Sequence, residues 1–120
     1  MTLYYYRARV HLQQMTNVYD GDTVRMDIDL GLRVLTYDEP LRLYGIDAPE
    51  LHEPGGKESR DYLRRLLDTP TLVIQTLKNT RERERKGKYG RWLVIIHHPI
   101  HGSLNDKMVE AGHAVRYMED

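Results

Sequence analysis

Alternation of apolar and polar residues characterises the first third of the chain and predicts β-strands. One predicted strand face carries Tyr4, Tyr6, Ala8, Val10 and Leu12. A second carries Val24, Met26, Ile28 and Leu30, while Arg25, Asp27 and Asp29 face away. Strand is also predicted over 32–37 and 41–46, interrupted near Asp38-Glu39-Pro40 and ended by Pro49, which lacks a ladder donor.

The spacing of apolar residues changes in the second half of the chain. A stripe of Tyr62, Leu63, Leu66 and Leu67 predicts a helix over 58–67. Strands are predicted over 71–77 and 91–97, and a short helix over 104–111, with Gly112 as its C-cap. The order β-β-β-α-β-β-α predicts an α+β fold that is mainly β. We expect an OB-fold five-stranded barrel with two helices, formed by residues 1–120 as a single domain.

Composition excludes several classes of site. The 120 residues contain no cysteine, so disulfides, thiolate metal sites and a thiol nucleophile are excluded. No segment approaches the roughly 18 apolar residues of a membrane-spanning helix. The N-terminal segment lacks the basic start and apolar run of a signal peptide. We therefore expect a cytoplasmic protein, or a secreted one if a leader has been removed.

Charge is balanced overall but unevenly distributed. The 18 Lys and Arg residues match 18 Asp and Glu residues, a mild argument against a nucleic-acid ligand, whose binding depends on phosphate contacts. Within residues 78–91, however, seven cations stand against two anions, and within residues 20–29 four aspartates stand against one arginine. One acidic and one basic patch suit a cation bound beside a phosphate.

Three short motifs carry residues that could perform chemistry. In Asp20-Gly21-Asp22-Thr23, two carboxylates can direct oxygens at a hard cation such as Ca²⁺. In residues 42–50, Arg42 lies in an apolar strand that ends with Asp47 and Glu50. In Lys88-Tyr89-Gly90-Arg91, the arginine offers a planar fork suited to phosphate oxygens. Each motif alone is more often a polar turn or a solvated charged segment.

Together the three motifs supply the parts that phosphodiester hydrolysis requires. A metal neutralises the phosphate and orients water, and a general base accepts the proton of that water. Cationic donors stabilise the charge that develops on the phosphate oxygens. The combination therefore favours a metal-dependent phosphodiesterase over three unrelated turns.

The sequence closely resembles the staphylococcal nuclease (thermonuclease) family. The resemblance extends over nearly the whole chain, and any one of its motifs is weak by itself. Their common order and separation make the resemblance specific. The matching segments are residues 18–24, 42–50, Gly56-Lys57-Glu58, Lys88-Tyr89-Gly90-Arg91 and residues 105–112.

The resemblance implies a Ca²⁺ cofactor and a set of metal ligands. Asp22 and Asp47 match the carboxylates that bind the ion, and the backbone carbonyl of Ala48 matches the ligand beside them. Asp20 matches an acid close to the metal that does not bind it directly. The family often has threonine at the position of Ala48, but a main-chain ligand survives that change.

The resemblance also implies the catalytic and substrate-binding residues. Glu50 matches the general base, and Arg42 and Arg91 match the two arginines that hold the phosphate. Lys88 and Tyr89 match residues that contact the rest of the nucleotide. The implied activity is Ca²⁺-dependent endonucleolytic cleavage of DNA and/or RNA, single strands preferred, leaving 3′-phosphate ends. A monomer is the default expectation.

An alternative is a non-catalytic nucleic-acid or protein binding module with the same fold. Such modules typically lose a metal ligand, the base or an arginine. All five matching positions here (Asp22, Arg42, Asp47, Glu50 and Arg91) carry the catalytic residue type, which favours the enzyme. The hairpin over 24–41 is longer than in the best-known member, and whether it contacts substrate or a partner stays open.

Overall fold

The computed structural model of the protein describes residues 4–77 and 90–117. In chain order the elements are β1 (Tyr4–Val10), β2 (Val18–Asp20), β3 (Thr23–Gly31), β4 (Val34–Leu43), β5 (Ile46–Asp47), α1 (Gly56–Leu67), β6 (Leu72–Thr76), β7 (Trp92–His98), β8 (Gly102–Ser103), α2 (Leu104–Glu110) and β9 (Val115–Arg116). Short 3₁₀ turns at His11–Gln13 and Met15–Asn17 connect β1 to β2.

Five strands close into a barrel, which confirms the predicted OB-like α+β fold. The ring runs from β1 to β3, β4, β7 and β6, and returns to β1. The β4–β7 contact is parallel and the other four contacts are antiparallel. Strand β2 extends the sheet beyond β3, and β5 pairs with β9 as a separate ribbon. Closure leaves few exposed strand edges within the ring itself.

The core lies inside the barrel and beneath the helices. Helix α1 buries Leu63, Leu66 and Leu67 on one side, in keeping with its predicted apolar stripe. Helix α2 buries Leu104 and Met108 in the same core. Neither α1 nor α2, the helices of the described residues, has the length and apolar composition that a membrane-spanning helix needs.

The ends of the predicted N-terminal strands differ from the structure. Strand β1 ends at Val10, and Leu12, predicted to continue its inner face, lies exposed in a 3₁₀ turn with a φ of 53°. Leu30, predicted to share the inner face of β3, is also exposed, because β3 and β4 extend past the barrel there as a protruding hairpin. Alternation therefore predicted one residue too many on the inner face of each strand: β1 ends before Leu12, and Leu30 lies beyond the covered part of β3.

Strand β4 is continuous where an interruption at 38–40 was predicted. A bulge absorbs the irregularity, since the register of β4 against β3 shifts between Met26 and Ile28, and Asp38 has a φ of 58°. The carboxylate of Asp27 accepts the Asp38 N–H at 3.0 Å and is also bonded by the His11 ring. Burial raises the pKa of Asp27, but these hydrogen bonds outweigh burial and hold the pKa below its usual value.

Candidate active site

The sheet places three of the functional motif residues side by side. Asp20 on β2 is paired with Thr23 on β3, and Thr23 is paired with Arg42 on β4. Side chains of directly paired residues project to the same face of a sheet, so this register gathers them at one end of the barrel. Strand β4 follows β3 through a hairpin, and the pairing of these two strands brings the Asp20–Thr23 turn beside Arg42.

Gly21 is required for close packing, not for an unusual turn conformation. A Cβ at this position would lie 1.9 Å from Ser59 Oγ and 2.8 Å from Ala48 Cβ. The turn that carries Asp20 and Asp22 is therefore pressed against helix α1 and the segment after β5. The Ser59 hydroxyl also donates to the His113 carbonyl at 2.8 Å, which ties α1 to the C-terminal segment.

Asp22 is buried, and both oxygens of its carboxylate have protein partners. Its Oδ2 atom accepts the Ala48 N–H at 2.9 Å and lies 2.7 Å from the Arg42 guanidinium, and its Oδ1 atom accepts the Thr23 hydroxyl at 2.8 Å. Burial opposes ionisation, but hydrogen bonds from Asp20, Ala48 and Arg42 together with the positive charge of Arg42 lower the pKa of Asp22. Asp22 is thus held as a carboxylate.

Asp20 has the opposite electrostatic character. Its Oδ1 atom accepts the Asp22 N–H at 3.0 Å. Burial, followed by the hydrogen bond and repulsion from the Asp22 carboxylate, raises the pKa of Asp20 to about 7. The two acids therefore carry less than two negative charges near neutral pH, and an added cation would favour full ionisation of the pair.

Arg42 spans the two predicted metal-binding carboxylates. Its guanidinium contacts Asp22 at 2.7 Å and Asp47 at 3.7 Å, and donates to the Ile46 carbonyl at 3.1 Å. The ring of Tyr117 lies beneath it at 5.8 Å. An arginine in an apolar strand must either reach solvent or meet an anion, and Arg42 is paired with the Asp22 carboxylate.

The segment with Asp47 and Ala48 is held from the C-terminal side of the chain. Strand β5 pairs with β9, with Asp47 opposite Val115, and the Tyr117 N–H bonds the Gly45 carbonyl at 2.9 Å. Asp47 remains more than half exposed, whereas Ala48 is buried. The carboxylate of Asp47 is therefore open to solvent beside the buried Asp22.

Asn105 is a structural support that the sequence does not single out by its own chemistry. Its side-chain amide donates to the carbonyls of Tyr44 at 2.8 Å and Val94 at 3.0 Å, and its oxygen accepts the Ile96 N–H at 3.1 Å. This buried side chain joins α2 to β7 and to the turn before β5. A polar residue on the apolar side of a short helix was the available signal.

Glu50 lies at the start of the loop that leads to α1. Its N–H bonds Glu53 Oε1 at 2.8 Å and its carbonyl accepts the Glu53 N–H at 2.9 Å, while its exposed carboxylate is 3.6 Å from His52. Gly56 passes so close beneath this turn that a Cβ there would lie 1.9 Å from the Glu50 carbonyl oxygen. The backbone position of Glu50 is thus defined by contact with the first residue of α1.

Arg91 and Glu50 line a common cleft, although they are 41 positions apart in sequence. Arg91 precedes β7, and its Nη1 atom donates to the Thr23 hydroxyl at 3.0 Å. The cleft has a volume of about 440 Å³. Its walls are formed by Tyr19, Thr23, Val24, Arg25, Pro40, Glu50 and Arg91. Arg25, predicted only to face away from the core, adds a second guanidinium to this cleft.

The donors fit a hard divalent cation, but they do not form a ready-made cluster. Within residues 4–77 and 90–117, no three His, Cys, Asp or Glu side chains are gathered as a metal site. Asp22, Asp47 and the Ala48 carbonyl offer only oxygens, the donors that Ca²⁺ prefers. Burial, and after it the neighbouring Asp22 carboxylate, raises the pKa of Asp20, so a cation bound at this point would favour its ionised form. Lys88 and Tyr89 lie outside the described residues, and their roles stay predictions.

Comparison with known proteins identifies a matching family and several relatives of this chain. A family model described as staphylococcal nuclease homologue matches residues 40–120. An uncharacterized endonuclease of Escherichia coli O157:H7 is 31% identical over 105 residues, covering 87% of this chain and 60% of that protein. The thermonuclease of Staphylococcus intermedius is 32% identical over 85 residues, covering 66% of this chain and 44% of that protein. The chain thus spans less than two thirds of the length of these relatives.

Proposed function

The chain belongs to the staphylococcal nuclease family, and we propose that it is a nuclease that hydrolyses phosphodiester bonds of DNA and/or RNA with Ca²⁺. The observation that carries the proposal is the convergence of Asp22, Arg42 and Arg91 around the Thr23 end of β3, with Glu50 lining the same cleft as Arg91. The names of the relatives, an endonuclease and a thermonuclease, support the same activity. Endonucleolytic cleavage, single-strand preference and 3′-phosphate products belong to this proposal.

The proposed metal site consists of the Asp22 and Asp47 carboxylates and the Ala48 carbonyl, with Asp20 beside it. When bound, Ca²⁺ supplies positive charge to the phosphate and orients a water molecule. Asp22 is already ionised, and burial of its side chain keeps it in one orientation. Asp47 contributes a second carboxylate from the exposed side of the same site.

The protein residues have separate roles in the proposed hydrolysis. Glu50, exposed at the rim of the cleft, accepts a proton from the attacking water, whose oxygen bonds to phosphorus. The bond from phosphorus to the 5′ oxygen breaks, and that oxygen takes up a proton from solvent and leaves as a hydroxyl, so the phosphate stays on the 3′ side. Arg42 and Arg91 donate to the phosphate oxygens as negative charge develops on them.

A cleavage assay with a matched control tests this proposal. Fluorescent single-stranded DNA and RNA of one sequence are incubated with the protein in Ca²⁺, in Mg²⁺ and in EDTA. We expect cleavage in Ca²⁺, with products that a 3′-phosphatase converts to extendable ends. Glu50→Gln should remove most cleavage and retain Ca²⁺ binding, whereas Glu110→Gln, at an exposed end of α2, should cut like the wild type.

The same assay distinguishes the alternative function. A folded wild-type protein that cuts neither nucleic acid with any metal would contradict the nuclease proposal. Retained binding of the labelled strands under those conditions would instead support a non-catalytic binding module. Normal turnover by Glu50→Gln would leave the nuclease but remove Glu50 as its base.

A further inference from the structure

The Thr23 hydroxyl forms a bridge between Asp22 and Arg91. The Thr23 Oγ1 atom donates to Asp22 Oδ1 at 2.8 Å, and it accepts a hydrogen bond from Arg91 Nη1 at 3.0 Å. Thr23 is 8% exposed, so solvent has little access to this bridge. The hydroxyl therefore connects a proposed metal ligand to a proposed phosphate-binding arginine.

The direction of both hydrogen bonds follows from the chemistry of the partners. An ionised carboxylate only accepts and a guanidinium only donates. The hydroxyl proton must therefore point to Asp22, and an oxygen lone pair must point to Arg91. Donation to a carboxylate also makes a hydroxyl oxygen a better acceptor, so the two bonds strengthen each other.

The surrounding structure holds this hydroxyl in one orientation. Thr23 begins β3 and is paired with Asp20 on one side and Arg42 on the other. A β-branched side chain in a strand has a restricted χ1 angle, which limits the directions that its hydroxyl can take. The backbone of Arg91 is also fixed in place, because the following residue begins strand β7.

We propose that Thr23 is a positioning residue that sets the orientation of the Arg91 guanidinium relative to the Asp22 carboxylate. The inference rests on the proposed nuclease function, because it assigns Arg91 to the phosphate. A movement of the Asp22 carboxylate would change the position of the Arg91 guanidinium, because both groups are hydrogen-bonded to Thr23 Oγ1. The phosphate-binding arginine and the metal-binding carboxylate thereby act as one unit, although they are 69 positions apart in sequence.

A double-mutant cycle tests this role. Thr23→Val preserves the branched shape and removes the hydroxyl, Thr23→Ser retains the hydroxyl, and Arg91→Met removes the guanidinium. We expect Thr23→Val to lower kcat by roughly ten- to hundredfold, the range for a hydrogen bond to a charged group, and Thr23→Ser to stay within roughly threefold of wild type. In the Arg91→Met background, Thr23→Val should cost less than about threefold, because its partner is already absent. Thermal melts establish that each variant is folded.

Binding measurements separate a failure of this inference from a failure of the nuclease proposal. The affinity for a fluorescent single-stranded oligonucleotide, measured by anisotropy in Ca²⁺, is determined for the same four proteins of the cycle. If the wild type binds without cutting, the nuclease proposal is wrong, and non-additive affinities would still support the role of Thr23. Equal losses from Thr23→Val with and without Arg91, in rate or in affinity, would overturn the inference.

Discussion

Replacing Gly56 with alanine tests whether close packing positions Glu50. Glycine at 56 opens helix α1 with an ordinary φ, and Gly21 and Gly56 are the two described glycines without a positive φ. Helix propensity alone therefore predicts that Gly56→Ala stabilises the protein by up to about 1 kcal/mol. The structure predicts the opposite, because the added Cβ would lie 1.9 Å from the Glu50 oxygen and 2.9 Å from Leu51 Cα.

The size of the effect follows from that overlap. Contacts of Cβ atoms below 3.0 Å essentially do not occur, so the Glu50 turn must move by more than 1 Å or the helix must shift. Added atoms in a tightly packed site typically cost about 1–3 kcal/mol. A misplacement of about 1 Å can cost about a hundredfold in rate. We expect a fall of roughly 1–2 kcal/mol in the free energy of unfolding and a fall of about a hundredfold in kcat.

Urea unfolding and cleavage kinetics measure the two effects separately. Gly102→Ala provides the control, since Gly102 has a φ of 68° and no atom within 4 Å of a built Cβ. That variant should lose roughly 1 kcal/mol through backbone strain and keep its kcat. A Gly56→Ala protein as stable and active as wild type would refute the reasoning, because the turn would then accommodate a methyl group freely.

Three further substitutions probe the site and its supports. Asp22→Asn should weaken Ca²⁺ binding by more than about tenfold in a calorimetric titration, and an unchanged titration would remove Asp22 from the metal site. Arg91→Lys should lower kcat by about a hundred- to a thousandfold, since lysine cannot make a bidentate contact, and a wild-type rate would place the clamp elsewhere. Because the pKa of Asp27 is lower in the folded than in the unfolded chain, its stabilisation is present above the unfolded value and is lost as the pH falls through the folded value. The Asp27→Asn variant should therefore have a free energy of unfolding about 1–3 kcal/mol lower than that of the wild type at pH 7. Between pH 5 and 2 it should lose less stability than the wild type, as measured by urea unfolding midpoints. If the midpoints of the two proteins fell in parallel over this pH range, this role of Asp27 would be contradicted.

Periodicity predicted the fold well because the barrel depends on which residues face inward. The faces of β1 and β3 and the apolar stripe of α1 follow directly from spacings of two and of three to four. Leu12 was placed incorrectly because β1 ends at Val10, and Leu30 because a strand face is buried only where another element covers it. Asp27, on the outward face, is buried because the bulge at Asp38 and the ring of His11 close over it.

The motif residues were predictable, but most of the contacts that position them were not. A glycine in a sequence indicates either a positive φ or a close approach, and only the fold separates Gly21 and Gly56 from the other described glycines. Thr23 stands inside a predicted motif, yet its importance depends on Arg91, which reaches it from the start of β7. Such contacts depend on tertiary distances, which no local pattern in the sequence contains.

The burial of the site residues determines what each substitution can report. Arg42 and Asp22 form a largely buried pair, with side chains 12% and 5% exposed. Removal of one member of a buried pair leaves the other charge uncompensated and commonly costs about 3–5 kcal/mol. A rate loss in an Arg42 variant therefore combines catalysis with stability. Glu50 carries no such penalty, because its carboxylate is 68% exposed at the rim of the cleft. Kinetic losses at Glu50 consequently give the more direct measure of chemistry, whereas those at Arg42 require the unfolding free energy of the same variant.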